Sequence, residues 1–145
     1  MNRTIRCAVA MTTVIFAGVA AMAADDSAPA KTKGPEPLVI SMGQEVKLED
    51  YLVPGKTTIF DFYSKYCPPC MAMAPRVKKL HETRDDIAVV EVNINRPGIE
   101  GIDWHSPVAA EFQLDSIPHF KIFGADGKLV AQGEDAYTQI IGMVK

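Results

Sequence analysis

The chain has 145 residues, 48% of them hydrophobic, with 15 basic and 18 acidic side chains and a formal net charge of −3. That length suits a single compact domain around one core. The acidic balance argues against nucleic acid and anionic lipid as partners.

Arg3 and Arg6 precede an apolar run, Cys7 to Ala20, that ends at Ala21-Met22-Ala23. A charged start, a short apolar segment and a small-residue cleavage signal predict a signal peptide over residues 1–23. The run is shorter than the roughly 20 residues a membrane-spanning helix needs, so removal is expected, with a retained membrane tether as the alternative. Cys7 stands at the start of the apolar run, not after it, and leaves with the signal. Loss of Arg3 and Arg6 leaves 13 basic residues against 18 acidic ones, a charge of about −5, and a single dithiol. The expected location is periplasmic or otherwise extracytoplasmic.

Residues 24–37, rich in Ala, Lys, Pro and Gly without apolar periodicity, read as a flexible leader, and a folded domain is expected over 38–145. Leu38 to Ile40 and Glu45 to Leu52 suggest short strand or turn material. Pro54-Gly55 makes a turn before a buried strand, Thr57 to Tyr63. Met71 to His81 has helical spacing in Met73, Val77 and Leu80, with Pro75 expected to bend it. Ile87 to Ile94 is a β-branched run expected to be covered on both faces. Asn95 to His105 is a loop, and Ser106-Pro107 before Val108 to Phe112 reads as an N-cap with proline at the first helical position. Phe120 to Phe123 and Lys128 to Ala131 flank Gly124-Ala125-Asp126-Gly127 as a hairpin. Ala136, Ile140 and Val144 share a stripe of a final helix over Asp135 to Val144. Together these elements imply an α/β fold with helices on both faces of a mixed sheet.

The chemistry lies in Cys67-Pro68-Pro69-Cys70, two thiols on one face of a first helical turn and close enough to form a small disulfide. A helix N-terminus lowers a thiol pKa through its partial positive charge and unpaired N–H groups. Cys67 is therefore the expected nucleophile, and Cys70, one turn further in, the group that resolves its mixed disulfide. Pro68 and Pro69 lack N–H groups that would stabilise a Cys67 thiolate. A less stable reduced form means a reductant, nearer about −270 mV than about −120 mV.

Other uses of the pair stay open. Half a zinc site would need two more ligands from His81, His105 and His119. Copper(I) would suit Met71 and Met73, but two residues apart on a helix they point to different faces. A purely structural disulfide across so small a loop would constrain the unfolded chain little.

Asp61 to Pro75, Asp-Phe-Tyr-Ser-Lys-Tyr-Cys-Pro-Pro-Cys-Met-Ala-Met-Ala-Pro, resembles the active-site strand, dithiol and kinked helix of the thioredoxin superfamily almost position by position. Ser116-Ile117-Pro118 resembles the family's cis-proline segment and Asp126-Gly127-Lys128 its following hairpin, so the resemblance runs from about Val46 to Lys145. It implies a thioredoxin fold and an exported thiol-disulfide oxidoreductase without cofactor or metal. Cys67, Cys70 and Asp61 would be catalytic, with Asp61 a buried acid that exchanges a proton with Cys70. Tyr66, Pro68, Ile117 and a cis Pro118 would meet the partner, the Ile117 backbone pairing with an extended substrate segment. The sequence adds that Ile59, Asp61 and Tyr63 share one strand face, and that burial raises a carboxyl pKa. Asp61 at a solvent-facing strand end is the competing possibility.

Glu91 stands where thioredoxins commonly carry a lysine. Either it faces Asp61 and titrates with it as a coupled pair, or it points outward. Tyr66 replaces a tryptophan and offers a flat docking surface. His119 follows Pro118 in place of a threonine and is expected to be packed or hydrogen-bonded. Trp104, in a loop longer than the family minimum, either forms a lid or anchors the loop. The implied partners are protein disulfides and dithiols, with a membrane thiol relay as electron donor and the protein itself a monomer. A disulfide-donating oxidase or isomerase, or a copper-handling or redox-sensing module, are the alternatives. Against an oxidase, Leu80 to Ile87 leaves no room for a helical insert.

Overall fold

The computed structural model describes residues 32–144. The expected signal peptide and residues 24–31 of the leader lie outside the described residues. In chain order the elements are β1 (Leu38–Ile40), a 3-10 turn (Leu48–Tyr51), β2 (Thr57–Tyr63), α1 (Pro68–Thr83), β3 (Ile87–Asn93), α2 (Pro107–Glu111), β4 (His119–Phe123), β5 (Leu129–Gln132) and α3 (Gly133–Met143). None of the described helices is long and apolar enough to cross a membrane.

The strands form one mixed sheet in the order β1-β3-β2-β4-β5. β3 pairs in parallel with both β1 and β2, β4 runs antiparallel to β2, and β5 antiparallel to β4. β2 and β3 lie inside the sheet and are covered on both faces, which is why they read as near-continuous apolar runs. Alternation along β2 splits the core in two. Phe60 and Phe62 face a cluster with Val90, Val92, Val46, Leu48 and Val108, under the 3-10 turn and α2. Ile59 faces the other way with Val89, Phe120 and Ile122, under Met73, Val77 and Leu80 of α1 and Ala136 and Ile140 of α3. Val144 is partly buried against the same cluster, completing the expected stripe. This is the thioredoxin fold, with helices on both faces.

Two expectations need correction. α1 begins at Pro68, three residues before Met71, because two prolines suit its first two positions, where no intrahelical N–H bond is lost. The end of the expected flexible leader is tied down: Lys33 Nζ donates to the Arg84 carbonyl at 2.7 Å, and Glu36 pairs with Lys78 at 2.5 Å. His81 completes this attachment. It is buried on α1, where its Nδ1 accepts from the Val89 N–H at 2.9 Å and its Nε2 lies 3.0 Å from the Gly34 carbonyl. Since Nδ1 must accept, the proton sits on Nε2 and is donated to Gly34.

The N-terminal end of α2 is built as expected: Ser106, with Pro107 behind it, accepts from the Ala109 N–H through Oγ.

Candidate functional site

Strand β2 delivers the chain to the dithiol. Four residues after its end, Cys67 occupies the N-cap of α1, and its Sγ accepts from the Cys70 N–H at 3.2 Å. Pro68 and Pro69 supply no donor, so within the first turn the Cys70 amide is the backbone donor aimed at that sulfur. Cys67 and Cys70 form a disulfide, with their Cα atoms 5.3 Å apart.

The Ile117–Pro118 peptide is cis. It brings the Ile117 carbonyl oxygen to 3.6 Å from Cys67 Sγ. Cys67 is only 1% exposed, and Cys70 2%. The burial of Cys67 has a tertiary cause: the cis-proline segment lies against the sulfur, and local sequence around the dithiol does not report a contact 50 residues away.

Asp61 lies beneath α1, on the same face of β2 as Ile59, and is 4% exposed. Its Oδ1 is buried without a hydrogen-bond partner among the described residues. Burial, first, and the charge of Glu91, second, push the Asp61 carboxyl up to about 8. The solvent-facing placement of Asp61 is therefore ruled out.

Glu91 stands beside Asp61 in the register of β2 and β3, and on its other side is Val39 of β1. Adjacent residues in register share a face, so Glu91 faces the α1 side with Asp61. It is half-buried. Burial raises its pKa, Lys78 opposes this, and Glu36 adds to it. The open choice about Glu91 resolves toward a carboxyl pair. Tyr63, the next residue on that face of β2, is raised by burial and then by both carboxyls.

Around the dithiol, Tyr66 is 37% exposed, its ring covered on one side by Lys65 Nζ at 4.9 Å. Tyr66 and Lys65 form one wall of a cleft of about 370 Å³, with Met42 and the segment from Arg96 to Glu100 as the others. The Asn95–His105 loop is held by Arg96, whose Nε and Nη2 donate to the two Asp103 carboxylate oxygens at 2.7 and 2.9 Å. Asn95 adds a bond from Nδ2 to the Gly101 carbonyl at 2.6 Å. Trp104 is exposed, so this ion pair is the loop's anchor. Sequence reasoning did not find Arg96 and Asp103; an Arg and an Asp seven residues apart in a Gly-rich loop are the only signal they leave. Pro68 is exposed beside the dithiol, while Ile117 and Pro118 are half-buried against it.

His119 packs edge-on against Phe62, ring centres 5.7 Å apart, as expected of a packed histidine. Burial and then Lys121 lower its pKa, with Asp115 opposing. Met73 is core and Met71 exposed, on different faces of α1. His81, one of three histidines that could have completed a zinc site, has both ring nitrogens committed to backbone.

The profile of the family described as Thioredoxin matches residues 44–145. The chain is similar to Thioredoxin F1, chloroplastic, of Arabidopsis thaliana, at 29% identity over 91 residues, which cover 62% of this chain and 47% of that one. Thioredoxin Y2, chloroplastic, of the same plant is 33% identical over 82 residues, covering 56% and 44%. The chain thus spans less than half the length of these curated relatives. Thioredoxin f2 of Chlamydomonas reinhardtii, a solved structure, matches with a TM-score of 0.52 at 22% identity, covering 74% of this chain and 93% of that one, a likeness of fold. Since the matched profile takes in β2 to β5, the dithiol and the cis-proline segment together, this chain belongs to the thioredoxin family.

Proposed function

We propose that the protein is a protein-disulfide reductase working outside the cytoplasm, recharged by a membrane thiol relay. The observation that carries the reading is the placement of Cys67 at the α1 N-cap with the cis Ile117–Pro118 backbone against its sulfur. A disulfide-bearing segment laid along Ile117 presents its sulfur to Cys67, while Tyr66 and Pro68 give it a surface to lie on.

The Cys67 thiolate attacks a partner sulfur, forming a mixed disulfide and releasing the first partner thiolate. Cys70 loses its proton to the Asp61 carboxylate and attacks Cys67 Sγ. That forms the Cys67–Cys70 bond and breaks the mixed disulfide. The partner sulfurs gain two electrons and, from solvent, two protons; the enzyme dithiol loses as many. Asp61 is suited to the proton step because its pKa of about 8 lies near neutrality. α1 ends at Thr83 and β3 begins at Ile87, with no helical insert of the kind expected of a disulfide donor.

Insulin reduction under dithiothreitol tests the reading. The wild-type chain should accelerate it, and Cys67→Ser should abolish the acceleration; a wild-type rate no faster than dithiothreitol alone would refute it. Fractionation of cells expressing the full chain tests the compartment, the expected result being protein in the extracytoplasmic fraction.

A further inference from the structure

One row across the sheet runs Phe120, Asp61, Glu91, Val39, from β4 through β2 and β3 to β1 at the edge. Exposure rises along it, from fully buried Phe120 through buried Asp61 and half-buried Glu91 to exposed Val39. Beyond Glu91 lie Lys78 of α1 and Glu36 of the segment before β1, both exposed and joined in an ion pair, with Glu82 also 3.7 Å from Lys78. Tyr63 is the remaining titratable group on this face of β2. Asp61, by contrast, has an oxygen with no hydrogen-bond partner among the described residues and sits under a helix, sealed from solvent on that side.

A buried acid that takes a proton at each turnover must also lose it. Phe120 closes the route toward β4, and α1 with its apolar residues closes the route above. The sheet row leaves one polar neighbour, Glu91.

We propose that Glu91 is the proton outlet of Asp61, a second carboxyl that accepts the proton from Asp61 and delivers it to solvent beside Lys78 and Glu36. The assignment rests on the oxidoreductase reading above and deepens it. Glu91 touches neither thiol; it is a positioning residue that acts through Asp61. Lys78 keeps Glu91 able to ionise again after each transfer, by favouring its charged form.

In the resolving step Cys70–SH gives its proton to Asp61, the Cys70–Cys67 bond forms, and the partner leaves as a thiolate. With thionitrobenzoate as partner the leaving thiolate takes no proton at neutral pH. One proton therefore passes from Cys70 through Asp61 and Glu91 to bulk water in each event.

The test uses the full chain, wild type and Glu91→Gln. Reduced protein is mixed with dithiobis(nitrobenzoate), and release of the second thionitrobenzoate reports the resolving step alone. The expected result in dilute buffer is a plateau rate about fivefold or more below wild type, restored by added imidazole, a small proton carrier. In parallel, infrared titration of the protonated carboxyls in the oxidised protein, which needs no turnover, should show the Asp61 midpoint moving down in Glu91→Gln and the Glu91 midpoint moving up in Lys78→Gln.

A Glu91→Gln rate equal to wild type, or a slow rate indifferent to imidazole, would overturn the outlet and leave Glu91 an electrostatic neighbour. An Asp61 midpoint unmoved in Glu91→Gln would overturn it as well. Wild-type protein that releases no second thionitrobenzoate while its carboxyls still titrate as a pair would refute the oxidoreductase reading, and the outlet with it. Lys78→Gln changes an exposed side chain, so it remains readable if Glu91→Gln folds poorly, and a Glu91 midpoint unmoved there would overturn the outlet.

Discussion

At the residue scale, Asp61 ties the stability of the fold to the chemistry of the site. Its carboxyl ionises at about 8 when folded, against an ordinary value of 3.8. Between those pH values the folded state holds a proton that the unfolded chain has lost, so stability falls as pH rises across that window. The direction is opposite to that of an ion-paired carboxylate. Asp61→Asn should therefore stabilise the protein by several kcal/mol at pH 9 and by little at pH 4, as urea unfolding at the two values would show. An equal gain at both would contradict the burial of an ionisable Asp61. The same variant should slow the resolving step about tenfold or more near neutrality, because Cys70 loses its acceptor.

At the element scale, the start of α1 sets the redox character. Pro69 occupies the second helical position, whose N–H is one that an N-cap acceptor ordinarily receives. Pro69→Ala restores that donor to Cys67. A hydrogen bond to a charged group contributes about 1.5–3 kcal/mol, so the potential should rise by roughly 30–60 mV in a glutathione redox buffer. A fall would contradict the account.

The crossing at Gly43 is a second test. Gly43 has φ +82°, and a Cβ there would lie 2.6 Å from the Arg96 backbone nitrogen. Gly43→Ala should cost about 2 kcal/mol or more in thermal unfolding and disturb the loop that walls the cleft.

Much of this was legible in order along the chain, for reasons that differ by element. β2 is bounded by Pro54-Gly55 and by the dithiol, so its apolar run could be placed to the residue. The cis-proline segment was legible only through resemblance, since Ile117 and Cys67 are 50 residues apart. The 3-10 turn at Leu48–Tyr51 was not, because one turn has too few residues to show a period, and it is Leu48 packing under α2 that fixes it. Nor was the Glu36–Lys78 tie, which no local pattern encodes. Glu91 was left open between two faces because the sequence of β3 gives its alternation without saying which side carries α1; the register with Asp61 supplies that.

At the scale of the whole molecule, the fold places one sulfur at a helix N-cap, one acid beneath it and one backbone carbonyl across from it, each from a different part of the chain. On the proposed reading as a reductant, the two donors missing at the N-terminus of α1 should favour the oxidised state. The potential should lie nearer about −270 mV than about −120 mV, and the oxidised protein should melt at a higher temperature than the reduced one.

The central claim is that Cys67 exchanges with protein disulfides and Cys70 completes the exchange. Cys70→Ser tests it most directly. Mixed with insulin, the variant should accumulate an insulin chain joined to Cys67, visible as a shifted band that reductant collapses and located by mass spectrometry of the Cys67 peptide. No adduct, with Cys67 unreactive to alkylation near neutral pH, would contradict it.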